Sequence, residues 1–201
     1  MQAQTLKDDK AVTHFYIVNI DEDLLDVSTS AKVNDKTPSR NEFVVGIIDT
    51  FYAIASERFK NELGLELLPL GELQGKVKYN SQYPNCPDMT NIKKVLKNAA
   101  GYKYYTDYFV NIFSDNNTDS SVKSAPNRIR PLYAICFTIY DASGKQVKKI
   151  DMTYKSRKPL AENKQDMKDL NQQMKSKLSK FYSEALTGFA FEYKKKMTAQ
   201  L

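Results

Sequence analysis

Residues 132–154 read LYAICFTIYDASGKQVKKIDMTY, and their pattern decides the class of the fold. Residues 132–140 are almost wholly apolar, which predicts a strand. The following Asp-Ala-Ser-Gly at 141–144 is a turn signal. The return segment alternates, with apolar and polar side chains on opposite sides: Ile150, Met152 and Tyr154 on one, Lys149, Asp151 and Thr153 on the other. This pattern predicts a β-hairpin at a sheet edge with one covered and one solvated face.

Strand-like and helix-like segments alternate along the rest of the chain. Residues 13–20 are β-branched or aromatic on both faces, which predicts a strand towards the middle of the sheet. Residues 43–59 carry apolar side chains at three- and four-residue steps, which predicts a helix. Gly64 stands where a helix-ending glycine belongs, and residues 65–68 then predict a short strand before Pro69.

Two further segments complete the predicted sheet and its helical cover. Tyr102 to Phe113 alternates as a strand, with Tyr108, Val110 and Ile112 on one side and Phe109 and Phe113 on the other. After Pro159, apolar residues recur at helical spacing as far as Tyr193, which predicts a long C-terminal helix against the sheet.

Together these segments predict an α/β (α+β) fold in one domain. We expect a mixed sheet of about four to five strands, with helices packed mainly on one face and a long C-terminal helix. The domain is predicted to cover residues 12–201, after a disordered remnant over residues 1–11. No internal repeat and no shift in composition indicates a second domain.

The composition fits a globular domain that needs no metal or disulfide for stability. The chain has 201 residues, of which 41% are hydrophobic and 27% charged. Its apolar runs are far shorter than the roughly 20 residues of a membrane span, so we predict no membrane span. Cys136 lies in an apolar strand and Cys86 in a proline-rich loop, which favours two free thiols over a disulfide.

The residues that the common catalytic chemistries require are sparse. His14 is the single histidine and lies in a predicted strand, and the chain has no G-x-S-x-G segment, so we expect a structural histidine. His14, Cys86 and Cys136 are too dispersed for zinc, and the seven glycines form no phosphate-binding loop. We therefore predict no enzyme activity, no cofactor and no metal. The alternative is a hydrolase that uses carboxylates of the acidic loop Asp21–Asp26.

Tyrosines in loops and strands are the first candidates for a binding surface. The chain has 13 tyrosines and no tryptophan, and such amphipathic rings suit contact with a protein or stacking on a sugar. We predict five binding residues, with the loop over 79–83 foremost: Tyr79, Tyr83, Tyr105, Arg128 and Arg130. The alternative is that these rings fill positions at the rim of the core.

The positive charge is concentrated in the last third of the chain. Residues 145–201 hold 14 basic and 6 acidic side chains, a net charge of +8, whereas the whole chain carries +6. This asymmetry raises the alternative of a nucleic-acid-binding module. The simpler interpretation is that lysines interleaved with acidic side chains solvate the outer face of the long helix, so we rank nucleic acid below a protein or glycan partner.

Three segments resemble a known α/β domain of the bacterial cell envelope. They are residues 51–68, which contain the helix-to-strand step Leu63-Gly64-Leu65, residues 95–102, and the hairpin residues 137–147. With the predicted order of elements, they resemble the α/β domain of the curli-secretion pore lipoprotein, the amino-terminal domain of the Tol–Pal propeller protein and the lipoprotein activators of penicillin-binding proteins. The resemblance implies an exported, non-catalytic protein that contacts other envelope components.

The amino-terminal residues favour the same compartment. Gln2-Ala3-Gln4 resembles the remainder of a small-residue cleavage site after a leader peptide, so we expect a periplasmic or cell-surface location. The predicted function is therefore an exported binding or assembly accessory module for another envelope protein or a surface polymer. The residues leave the oligomeric state and a lipid anchor open.

Overall fold

The computed structural model describes residues 9–21, 40–69, 96–97, 99, 101–115, 130–160 and 173–198. The main elements, in chain order, are β1 (Asp9–Ile20), α1 (Arg40–Arg58), a π-helical turn (Phe59–Leu63), β2 (Leu65–Pro69), β3 (Tyr104–Asp115), β4 (Arg130–Tyr140), β5 (Gln146–Lys155) and α2 (Met174–Thr198).

The strands form one mixed sheet in the order β2-β1-β3-β4-β5. β1 pairs in parallel with β2 and with β3, whereas β4 pairs antiparallel with β3 and with β5. Parallel neighbours need a crossover connection, and α1 lies in the crossover from β1 to β2. The predicted α/β class with a mixed sheet of about four to five strands is confirmed, and the sheet has five.

β1 begins at Asp9, ahead of the domain boundary that the sequence predicts at residue 12. Asp9 pairs with Leu65 of β2, and Lys103 Nζ lies 2.7 Å from Asp9 Oδ1. Ala11 is fully buried in the core. Pairing with β2 extends the strand through a polar stretch that shows no strand pattern of its own.

α1 buries a single stripe of side chains. The stripe recurs at four-residue steps through Phe43, Ile47, Phe51 and Ala55, and Phe59 continues it into the π-helical turn. Gly64 ends the π-helical turn with a φ of 68°, and its N–H donates to the carbonyl oxygen of Phe59. A residue with a Cβ is strained at this φ, so the close step from helix to β2 requires glycine.

α2 lies beside α1 on the same face of the sheet. Its buried side chains are Met174, Leu178, Phe181, Tyr182, Ala185, Leu186, Phe189, Ala190 and Tyr193. The rings of Phe51 and Tyr182 stack with their centroids 4.0 Å apart, and Arg58 of α1 donates to the Ser183 hydroxyl of α2 at 3.0 Å. The two helices therefore close the main core from one side, as predicted.

A second, smaller core cluster lies on the opposite face of the sheet. It consists of Val12, Leu96, Ala99 and Tyr105, all of them buried. Within the described residues this cluster covers the start of β1 and β3, while the buried stripes of α1 and α2 belong to the main core. No helix in the described part of the chain is long and apolar enough to cross a membrane.

Candidate functional site

We call the side of the sheet opposite α1 and α2 the outer face. Strand pairing aligns its side chains in two rows across four strands. One row runs through His14, Asp107, Thr138 and Lys149, and the next through Tyr16, Phe109, Cys136 and Asp151. Alternate residues of a strand share a face, so the register brings these side chains together although they lie far apart in the chain.

His14 and Asp107 form the polar centre of the outer face. His14 Nδ1 lies 3.3 Å from Asp107 Oδ1, and the Tyr16 hydroxyl donates to Asp107 Oδ2 at 3.4 Å. The rings of His14 and Tyr16 stack with their centroids 4.5 Å apart, and the His14 side chain is only 13% exposed. One carboxylate thus holds both rings in place, which fixes this part of the surface before any partner binds.

Cys136 is a buried thiol beside this centre. Burial and a hydrogen bond with Asp151 raise the pKa of Cys136 to about 11. The same bond, together with Lys149 Nζ at 3.2 Å, lowers the pKa of the Asp151 carboxyl. A thiol with this pKa is neutral at physiological pH and is a poor nucleophile. Cys136 is free, as predicted, whereas Cys86 lies outside the described residues.

Apolar side chains border the polar centre where β1 and β3 end. Val18 is 55% exposed and Phe113 is 37% exposed. The half-buried rings of Tyr16 and Phe109 lie on the same face, with centroids 5.6 Å apart. We call Tyr16, Val18, Phe109 and Phe113 the outer-face patch. Apolar groups that cluster at the surface with a polar border indicate an interaction site.

A β-bulge in β1 exposes Val18. The register with β3 shifts between Ile17 and Asn19, which leaves Val18 without an opposite residue. Ile17 and Ile20 both pack on the helix-covered core, so Val18 and Asn19 between them point outwards. Bulges of this kind are common where a strand redirects a side chain towards a functional surface.

The structure corrects one predicted binding residue and leaves three outside its described part. Tyr105 is fully buried, against Val12 in the second core cluster and 6.2 Å from the ring of Tyr140, so its prediction as a contact residue is wrong. It lies on the outer face, but Leu96 and Ala99 cover that end of the sheet. Arg130 is half-buried at the start of β4. Tyr79, Tyr83 and Arg128 lie outside the described residues.

Asp21, the first residue of the predicted acidic loop, has a structural role. Its carboxylate accepts hydrogen bonds from the Ser114 hydroxyl at 2.7 Å and from the Ser114 N–H at 3.1 Å. These bonds fasten the end of β1 to β3. Residues 22–26 of the loop lie outside the described residues. Within the described ranges, no group of three or more His, Cys, Asp or Glu side chains is arranged to hold a metal ion.

The outer-face patch is not among the residues that the sequence predicts as a site. One signal for it is present, because Phe109 and Phe113 alternate with the buried side chains of β3. The bulge at Val18 has no such signal, since a valine among β-branched and aromatic residues resembles any other strand position. Pairing with β3 sets this register, and local pattern does not encode it.

Comparisons with known proteins identify similar structures but no family. No family model and no curated protein matches the chain. A PelC dodecamer from Paraburkholderia phytofirmans is similar at a TM-score of 0.36, with 12% identity over 90% of this chain and 90% of that chain. A point variant of that PelC has a TM-score of 0.38, with 11% identity over 90% and 93% of the two chains. The hypothetical protein CT253 from Chlamydia trachomatis has a TM-score of 0.39, with 8% identity over 92% and 98%. Similarities of this size carry no information on function.

Proposed function

We propose that this protein is an exported, non-enzymatic accessory module of the cell envelope that binds another protein through the outer-face patch. The observation that carries the proposal is the exposure of Val18 and Phe113 on the face of the sheet opposite both described helices. The resemblance of residues 51–68, 95–102 and 137–147 to envelope α/β domains supports the compartment and the accessory role.

Burial of the patch by a partner would supply the free energy of association. Apolar surface removed from water contributes about 25 cal/mol per Å². Aromatic side chains carry much of the binding energy at interface centres, and Tyr16 and Phe109 provide two such rings. The bond from Tyr16 to Asp107 restrains one of these rings already, so less conformational entropy is lost on binding.

The polar residues around the patch suit a protein partner. A non-obligate protein interface usually combines apolar side chains with polar groups beside them, and His14 and Asp107 lie beside the outer-face patch. Val18 and Phe113, the two exposed apolar members of the patch, offer no hydrogen-bonding group to a surface polysaccharide. We therefore favour a protein over a glycan as the partner.

Site-specific crosslinking from position 18 tests this proposal. A photoreactive amino acid replaces Val18 in the native host, and the matched control replaces Val45, which is 56% exposed on α1 at the other side of the sheet. We expect a protein adduct in the envelope fraction from position 18 and not from position 45. With the purified partner, Val18→Asp should weaken binding by at least about tenfold, while Val45→Asp leaves it unchanged.

Three results would contradict the proposal. Identical adducts from both positions would mean that contact is not specific to the outer face. If the protein fractionates with cytoplasmic proteins, it is not a protein of the cell envelope. An adduct with carbohydrate and not with protein would assign the patch to a surface polymer.

A further inference from the structure

The carboxyl end of α2 and the start of β5 meet at a basic corner. The Lys148 ammonium group donates to the carbonyl oxygen of Lys196 at 2.7 Å. This contact brings a β5 lysine to the consecutive lysines of the last turns of α2. We define the basic corner as Lys148, Lys194, Lys195 and Lys196. The charge is therefore concentrated by tertiary structure and not only by the composition of the helix.

Phe191 projects from the same end of α2. It is 66% exposed, the highest value among the exposed large apolar side chains of the described residues. Lys194 and Lys195 follow it by three and four positions, so they flank its ring on the exposed side of the helix. Phe189 and Tyr193 are buried in the core, which prevents the helix from turning to hide Phe191.

We propose that the basic corner and Phe191 dock on a membrane surface that contains anionic phospholipid. Lysine ammonium groups near such a surface are attracted by its negative potential, and an aromatic ring among them enters the boundary between headgroups and acyl chains. Lysines that serve only to solvate a helix need no exposed phenylalanine among them. The combination of charge and exposed ring therefore distinguishes this end of α2 from its remaining exposed surface.

Nucleic acid matches this surface less well. The described cations of the corner are lysines, whereas bidentate contacts to phosphates and base edges favour arginine. A single ring on a convex helix also offers no platform on which successive bases could stack. The inference is independent of the outer-face patch, which lies on the opposite side of the sheet from α2.

Co-sedimentation of the full chain with lipid vesicles tests the inference. Vesicles of phosphatidylglycerol mixed with phosphatidylcholine are compared with vesicles of phosphatidylcholine alone. We expect binding to the anionic vesicles only, and weaker binding as salt is added. Lys194→Gln/Lys195→Gln should weaken binding about 25-fold, or about fivefold for each lysine. Phe191→Ser should weaken it at least about tenfold.

Lys175→Gln/Lys180→Gln is the matched control, because it removes the same charge from exposed positions at the amino-terminal half of α2. We expect this control to bind almost as tightly as the unaltered chain, with circular dichroism showing that all variants are folded. Equal losses from both lysine pairs, or no binding to anionic vesicles, would overturn the inference. Tighter binding to duplex or single-stranded DNA than to vesicles would assign the corner to nucleic acid.

Discussion

The main core buries the hydroxyl groups of several tyrosines in different hydrogen-bonding states. The hydroxyls of Tyr108 and Tyr182 bond to each other, and the Tyr133 hydroxyl donates to the Leu178 carbonyl at 2.8 Å. The Tyr193 hydroxyl is buried and has no hydrogen-bond partner among the described residues. Burial raises the pKa of Tyr193 well above its ordinary value, so the group stays a neutral phenol.

Removal of the Tyr193 hydroxyl should therefore stabilise the protein. A buried polar group without a partner is unfavourable, so we expect Tyr193→Phe to raise the free energy of unfolding by up to about 1 kcal/mol. Tyr182→Phe is the matched comparison and should lower it by about 1–2 kcal/mol, because the Tyr108 hydroxyl loses its partner. Urea denaturation measures both changes. A loss of stability in Tyr193→Phe as large as that in Tyr182→Phe would show that the Tyr193 hydroxyl is satisfied.

The Cys136 thiol should react slowly at neutral pH. In a Cys86→Ser background, the rate of reaction with a disulfide reagent should rise with an apparent pKa of about 11, compared with an ordinary value of 9.0. The physical cause is burial, with the hydrogen bond to Asp151 as the second contribution. A rate profile that levels off at or below pH 9 would contradict this assignment of the thiol.

The raised pKa of Cys136 also predicts how the free energy of unfolding varies with pH. Between about pH 9 and pH 11 the unfolded thiol has lost its proton while the folded thiol retains it. The folded state therefore binds more protons in this window, and its stability falls as pH rises through it. Cys136→Ala should remove this part of the pH dependence.

Glycine has opposite effects on stability at the end of a helix and inside one. Gly64 ends the first helical segment with a φ of 68°, whereas Gly188 lies inside α2. A Cβ built at Gly188 would lie 3.6 Å from Met152 Sδ, an ordinary van der Waals contact. The two positions therefore allow the same substitution to be compared in two conformations.

Alanine should have opposite effects at these two positions. Gly64→Ala should lower the free energy of unfolding by about 1–2 kcal/mol, because a Cβ is strained in the left-handed region. Gly188→Ala should raise it by up to about 1 kcal/mol through helix propensity. Thermal denaturation of both variants measures the difference. A stabilising Gly64→Ala would mean that the π-helical turn is not closed by this residue.

The whole molecule separates two surfaces on either side of one sheet. The helices cover one face and present the basic corner and Phe191, while the outer-face patch lies across the sheet on β1 and β3. Crosslinking from position 18 and vesicle binding through Lys194 and Lys195 therefore test different sides of the molecule.

Most of the architecture could be predicted because the spacing of apolar side chains along each segment indicates whether it forms a strand or a helix. The alternation on β5, the buried side of β3 and the helix-ending role of Gly64 all appear in the structure as predicted. The candidate site could be predicted only in part. Phe109 and Phe113 carry a signal in their alternation. Tyr105 is misassigned because Leu96 and Ala99, which lie outside its strand, cover its ring.

The sequence by itself determined which segments become strands and helices and which side of each is apolar, because a period of two or of 3.6 residues acts within one element. Only the tertiary structure decided the strand order, the bulge that exposes Val18 and the contact that joins Lys148 to the end of α2. These features arise from pairing between residues distant in the chain, and many registers are compatible with the same local pattern until packing selects one.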